Sequence, residues 1–252
     1  MMDILQIPKT KRAAALRAMD IPALFAAVRL LQEASEEVPP SAVRRLEEYG
    51  NVMRMREFDN SYGCLYLAGV DEAGRGPLAG DVYTAAVIFD KGIMIEGLND
   101  SKKLSPAKRE ALYDVICERA LSYQITTASV ARIDEINIRN ATYESMCASV
   151  RGLRPAPEFV LVDGDAIRNL AVPHECVIKG DATSLSIAAA SILAKVSRDR
   201  YMMELDKQYP EYGFAKHKGY GTREHIEAIR KFGPCPLHRR SFLTNILGGK
   251  QA

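Results

Sequence analysis

Over roughly the first 60 positions, apolar residues recur at helical spacing between charges of both signs. "IPALFAAVRLLQEA" predicts one helix. After the break at "EEVPP", "SAVRRLEEYGNVMRMREF" predicts another, with Ser41 placed to cap it behind Pro40. The texture changes at "NSYG". "CLYLAGVDEAG" and "GDVYTAAVIFD" then read as consecutive strands, and "GIMIEGLND" continues the sheet into a loop. "SPAKREALYDVICERALS" predicts a helix with Ser105 as N-cap and Pro106 in its first turn. "YQITTASV" follows as a strand, "ARIDEINIRNATYESMCASVRGL" as a single helix, and "EFVLVDG" as a short strand apolar on both faces. "VPHECVIKGD" leads into "ATSLSIAAASILAKVSRDRYMMELDKQYP", a long helix stopped by Pro210, and "HKGYGTREHIEAIRKFGP" is a loop followed by a helix. Strands that open as a hairpin and then alternate with helices imply an α/β fold around one mixed sheet. The expected organisation is an α-helical N-terminal extension over 1–60 and an α/β domain over 61–252.

Composition narrows the class. The 252 residues are 47% hydrophobic and 26% charged, as in an ordinary globular chain, and the net charge of +2 means any basic surface is local. Five scattered cysteines form no C-x-x-C pair, and the four histidines are not at zinc-ligand spacing. A disulfide framework or structural zinc site is therefore not expected, and a reducing cytoplasm is the natural setting. The N-terminus lacks the apolar core of a secretory signal. The longest apolar run, "SIAAASILA", is too short to span a bilayer and reads as a helix packed closely on the sheet.

The chemistry is carried by acids. Asp71 and Glu72 end one strand, Asp163 ends another, and Asp181 precedes the long helix. Singly, each has a plainer role as cap, turn former or solvated edge. Jointly, they bring carboxylates to element termini, where open α/β sheets build their sites. Hard divalent cations need such oxygen ligands, and no histidine or cysteine cluster competes for the role. Neighbouring strand residues face opposite ways, so Asp71 and Glu72 share a site only if the chain bends, which the Ala73–Gly74 step allows. A nucleotide-loop reading of "GRGPLAG" fails, because Pro77 and a further strand follow where a helix should open, and there is no G-K-[ST]. Bases accompany the acids: Lys102 and Lys103 in "NDSKKLS", Lys179 just before Asp181, Arg75 between two glycines, and His217 and Lys218 with the loop aromatic Tyr220 in "HKGYGT". Acids for a metal, with bases around them for phosphates, fit a polyanionic substrate.

With these residues assembled, the chain resembles the type 2 ribonucleases H, ribonuclease HII. The likeness covers positions 62–240 and rests on "GVDEAGRGPLAGDV", "LNDSKKLS", "VLVDG", "KGDATSLSIAAASILAKVSRD" and "HKGYGT", in that order. It implies a ribonuclease H-like fold, a five-stranded mixed sheet flanked by helices with extra C-terminal helices. It implies two Mg²⁺ or Mn²⁺ ions on Asp71, Glu72, Asp163 and Asp181. Gly74-Arg75-Gly76 is then expected to read a ribose 2′-hydroxyl through its backbone, and Tyr220 to stack on the sugar of the following deoxynucleotide. Lys102, Lys103 and Lys179 are the expected phosphate contacts. The implied substrates are RNA–DNA hybrids and duplex DNA containing ribonucleotides, cut by a cytoplasmic monomer that removes ribonucleotides and RNA primers. The sister type, ribonuclease HIII, typically lacks Arg75 and this tyrosine arrangement, so the intact "GRG" favours HII. The extension over 1–60 resembles that of the longer bacterial forms. The rivals are another metal nuclease on the same fold, indifferent to junctions, and a hybrid-binding module without catalysis.

Overall fold

The computed structural model describes residues 4–164 and 167–247. They divide into two compact units, one reaching to Arg54 and including Met94–Leu98, the other comprising Met55–Ile93 and the chain from Asn99 onward.

The smaller unit holds α1 (Lys9–Ala18), α2 (Ile21–Glu33) and the first turns of α3 (Pro40–Ser61). Asp20 caps α2 by accepting from the Ala23 amide at 2.9 Å, with Pro22 in the first turn. Leu24, Ala27, Val28 and Leu31 recur at helical spacing on α2 and pack with Ile4, Leu16 and Ala42. Arg45 of α3 donates to the carbonyls of Met19 (2.6 Å) and Arg17 (3.3 Å), which the end of α1 leaves without helical partners. The same guanidinium pairs with Glu96, and that contact ties the 94–98 segment to this unit. Ser41 is not the cap of α3. The helix begins at Pro40, whose fixed φ suits a first helical position, and the amides of Ala42 and Val43 take the Pro39 carbonyl instead.

The larger unit is built on a five-stranded sheet in the order β3-β2-β1-β4-β5. β1 (Leu67–Ala73), β2 (Val82–Ile88) and β3 (Ser122–Ala128) pair antiparallel, whereas β4 (Phe159–Asp163) runs parallel to β1, and β5 (His174–Val177) parallel to β4. Two elements depart from the sequence expectation. "GIMIEGLND" forms turns rather than strand, because Ile95 and Leu98 bury their side chains without joining a ladder. The helix expected after β3 is two helices, α5 (Val130–Ile136) and α6 (Ile138–Gly152). Asn137 breaks them with φ +70° and caps α6 by accepting from the Asn140 amide at 3.1 Å.

Helices cover both faces. On one, Tyr143, Met146, Cys147 and Val150 of α6 pack on Ala68, Val70, Ala86, Ile88, Val160 and Val162. On the other lies α7 (Leu185–Gln208), capped by Ser184. Its backbone presses on β1 at Gly69, where a Cβ would stand 2.2 Å from the Ile187 nitrogen. α4 (Pro106–Arg119) starts at Ser105 and Pro106 as expected, with the Ser105 hydroxyl accepting from the Lys108 amide. α8 (Phe214–His217), α9 (Arg223–Phe232) and α10 (Arg240–Leu243) close a second core of Ala79, Met202, Leu205, Tyr212, Phe214, Ile229 and Leu243. Among the described residues no helix is long and apolar enough to cross a membrane.

Candidate active site

The parallel ladder between β1 and β4 ends at Val70–Val162, and the next residue on each strand is an acid, Asp71 and Asp163. β1 stays paired with β2 for three further residues, through Ala73. The chain therefore parts from β4 at Asp71, and a cavity of about 230 Å³ lined by Asp71, Glu72 and Asp163 stands there. This is also the point where connections leave β1 and β4 toward opposite edges of the sheet, a favoured place for a binding crevice. The bend expected at Ala73–Gly74 follows the acids rather than dividing them: Gly74 carries the positive φ of +99°. Asp71 and Glu72 sit in regular strand and still line one cavity.

Each acid is held by a specific donor. Asp71 accepts from the Glu72 amide at 2.6 Å and from Ser191 of α7. Asp163 accepts the Gly180 amide at 2.7 Å, which fixes the turn carrying Asp181. Lys102 donates to Asp181 at 3.2 Å, and Arg75 reaches Glu72 at 3.4 Å. Asp71 and Asp181 are each only 5% exposed. Burial pushes the Asp71 carboxyl well above the ordinary range, and the charges of Glu72 and Asp163 push it further. Burial also raises Glu72, against the opposing pull of Arg75, and raises Asp181 against that of Lys102, with Asp163 adding repulsion in both cases. Burial is the largest cause for all three acids, and the two cations offset it only in part.

The loop from Gly74 to Asp81 crosses one side of the cavity and is organised by two buried arginines. Arg239 donates to the carbonyls of Gly74 (2.6 Å), Arg75 (2.9 Å), Pro77 (2.8 Å) and Gly80 (2.6 and 3.0 Å). Arg198 of α7 donates to Ala79 and Asp81 at 3.1 Å and to Lys218 at 3.0 Å. Gly74 has no room for a side chain, since a Cβ would meet the Arg198 Nε at 2.0 Å. Gly76 lies against the Tyr220 ring, 3.7 Å from where its Cβ would be.

Of the residues singled out from the sequence, Asp71, Glu72, Gly74, Asp163, Lys102 and Tyr220 line the one cavity. Asp181 joins through Lys102, Arg75 through Glu72, and Gly76 through Tyr220. Lys103 and Lys179 are exposed and stand outside the lining. His217 is not a phosphate-seeking group: its ring is buried, its Nε2 lies 2.8 Å from the Tyr212 carbonyl, and its Nδ1 accepts from the Gly219 amide at 3.2 Å. The sequence reading missed Ser101, Arg109, Ser191, Lys195 and Arg198 in the lining, and Arg239 behind it. A signal for three of them was available. Ser191, Lys195 and Arg198 recur at i, i+4 and i+7 along the helix, a polar stripe on one face.

The donor set around the cavity is carboxylate oxygen, the chemistry of hard cations rather than of zinc or copper. Among the described residues no three histidine, cysteine, aspartate or glutamate side chains are gathered so as to hold an ion by themselves. Mg²⁺ does not ask for such a cage, because it binds through one or two carboxylates with waters and substrate phosphates. The residues thus fit a hard divalent cation, which would relieve the repulsion that burial leaves among the acids.

Carboxylates at the parting of β1 and β4 in a mixed 3-2-1-4-5 sheet, with helices on both faces, are the layout of the ribonuclease H class of enzymes. The structure is similar to the ribonuclease H2 of Pyrococcus horikoshii OT3, with TM-score 0.61 and 28% identity over 70% of this chain and 93% of that one. The sequence is 52% identical to a ribonuclease HII of Caldicellulosiruptor bescii over 203 residues, 81% of this chain and 98% of the relative. It is 53% identical to one of Clostridioides difficile over 197 residues, 78% of this chain and 76% of the relative. The sequence model of the family described as Ribonuclease HII matches residues 68–245. The chain belongs to the ribonuclease HII family and is a ribonuclease H acting on RNA–DNA hybrids.

Proposed function

We propose that the enzyme is an endonuclease that cuts the RNA strand of hybrids and also nicks duplex DNA on the 5′ side of a single embedded ribonucleotide. The observation that carries this reading is the composition of one cavity: Asp71, Glu72 and Asp163 share it with Gly74 and Tyr220. Acids suited to holding a metal thus adjoin a bare glycine backbone and a half-exposed tyrosine ring. A 2′-hydroxyl is what tells RNA from DNA at a given position, and only close backbone approach lets amides reach it.

Asp71, Glu72, Asp163 and Asp181 would hold two ions of Mg²⁺ or Mn²⁺. Bound there, the ions supply a water of lowered pKa and neutralise charge at the leaving oxygen. The amides of Gly74, Arg75 and Gly76 take the 2′-hydroxyl and so select which phosphate lies over the acids. Tyr220 stacks on the sugar of the following deoxynucleotide, which makes the pair a reader of the RNA-to-DNA junction. Lys102, with the exposed Lys103 and Lys179, meets phosphates along the strand. The bond from phosphorus to the preceding 3′-oxygen breaks, water's oxygen joins phosphorus, and the departing oxygen takes a proton. The products are a 5′-phosphate on the ribonucleotide and a 3′-hydroxyl upstream. Such an activity serves the removal of ribonucleotides and RNA primers from DNA.

The test is an end-labelled DNA duplex with one ribonucleotide, incubated with Mg²⁺, Mn²⁺ or EDTA beside a continuous hybrid. A metal-dependent nick immediately 5′ of the ribonucleotide is expected. Cutting of the continuous hybrid with the single-ribonucleotide duplex left intact would overturn the junction reading and leave a hydrolase of hybrids alone.

A further inference from the structure

Behind Tyr220 the larger unit buries three histidines that hydrolysis does not use, His217, His225 and His238. The rings of His217 and His225 stack with centroids 4.4 Å apart, and Phe214 and Tyr212 pack edge-on against the group. Their tautomers follow from their partners, because a backbone N–H only donates and a carbonyl only accepts. The Cys235 amide donates to His238 Nδ1 at 3.0 Å, so that nitrogen is bare and the ring proton sits on Nε2. The Nε2 proton faces His225 Nε2 at 3.0 Å, which must accept it. His225 therefore carries its own proton on Nδ1 and donates it to the Tyr220 carbonyl at 2.9 Å. Each donor meets one acceptor, and the chain runs in one direction, from Cys235 through both rings to Tyr220. Flipping either ring breaks it at two places.

The ring of Tyr220 needs such a hold, since it is 46% exposed. Its loop carries two successive residues of positive φ, Lys218 (+52°) and Gly219 (+82°). Three consecutive carbonyls are then gripped from three directions: Lys218 by Arg198, Gly219 by the Leu78 amide at 2.8 Å, and Tyr220 by His225 together with the Thr222 amide.

We propose that His225 and His238 are positioning residues for junction recognition, holding the Tyr220 peptide in one orientation so that the ring meets the sugar beside the ribose. The inference rests on the reading of Tyr220 given above. It assigns the two rings to substrate preference rather than to bond breaking.

The wild-type protein, uniformly ¹⁵N-labelled, tests the chain directly through long-range ¹H–¹⁵N correlations at pH 7. Neutral His225 protonated on Nδ1 and neutral His238 protonated on Nε2 are expected; the opposite tautomer in either, or a charged ring, overturns the proposal. The functional arm compares His225→Phe and Tyr220→Ala on the single-ribonucleotide duplex and the continuous hybrid, with folding checked by thermal unfolding. His225→Phe should lower the preference for the single-ribonucleotide duplex about tenfold, carried by KM rather than kcat, the size of one lost hydrogen bond. An unchanged preference in a folded His225→Phe protein, with Tyr220→Ala losing it, overturns the positioning role alone. An unchanged preference in Tyr220→Ala overturns the junction reading and the positioning role with it.

Discussion

Arg239 is a cation fully withdrawn from water and satisfied by main-chain oxygens, four carbonyls of the loop that borders the cavity. Burial, with the nearby charge of Arg198, pushes its guanidinium down to about 9. Such a group is costly in isolation, and its worth lies in the carbonyls it gathers. Arg239→Met strands all four, and we expect a loss of about 3–5 kcal/mol in urea unfolding, since each buried carbonyl left without a donor costs about 1–3 kcal/mol and part of that is recovered by relaxation. Arg239→Lys should recover little of it, because a compact ammonium does not span a fork of acceptors. Residues of this kind were not legible in the sequence. The acids were, since a carboxylate at a strand end has few roles, whereas an arginine bonded to backbone leaves no complementary side chain to find. Lys103 and Lys179 show the converse: their charge was plain, but which side of a loop faces the cavity depends on packing elsewhere.

At the level of elements, the close seat of α7 on β1 brings Ser191, Lys195 and Arg198 to the cavity. Gly69 permits that seat, and Gly69→Ala places a methyl group 2.2 Å from helix backbone that cannot turn aside. Overpacking of this kind costs about 1–3 kcal/mol and sometimes more. We expect a value at the upper end, about 3 kcal/mol, with activity reduced in the folded fraction; a thermal midpoint equal to the wild type would contradict the packing argument. Four of the strands followed from the hydrophobic pattern, buried ones such as "FVLV" most directly, whereas their order, their register and the short β5 did not. The two elements misread from the pattern share a cause. At Asn137 a single positive φ divides a continuous helical periodicity, and at Ile95 and Leu98 apolar side chains enter a core without any ladder. Periodicity reports which residues are buried, not how the backbone turns between them.

For the whole molecule, two buried clusters answer pH in opposite senses. His225 and His238 are held down at about 4 by burial, against 6.5 in an unfolded chain. Above pH 6.5 both states are neutral. As pH falls from 6.5 toward 4 the unfolded chain takes up protons that the folded rings refuse, so stability drops, by roughly 3 kcal/mol per ring at most. Urea titrations between pH 7 and 4 should show this loss, and it should shrink in a folded His238→Phe protein. Asp71, Glu72 and Asp181 are shifted upward, so without cations their contribution to stability is lost as pH rises through their raised values. On the proposed function these acids bind the metal only when ionised. The Mg²⁺ concentration for half-maximal activity should therefore begin to rise on acidification at a pH above the ordinary carboxylate range, and a requirement unchanged down to pH 4 would contradict the shifts.

On the proposed function, the acids where β1 parts from β4 are kept at a cost to the stability of the metal-free protein because the reaction requires them. Asp71→Asn tests it with one variant and two readings. Asparagine keeps the shape and can still accept from the Glu72 amide and Ser191, while removing a buried charge from the repelling group. In EDTA at pH 8 the variant should melt a few degrees above the wild type, about 2–4 °C for each kcal/mol of relieved repulsion, and it should cut no hybrid in Mg²⁺. Wild-type turnover in the folded variant, or a melting temperature in EDTA below that of the wild type, would contradict the account.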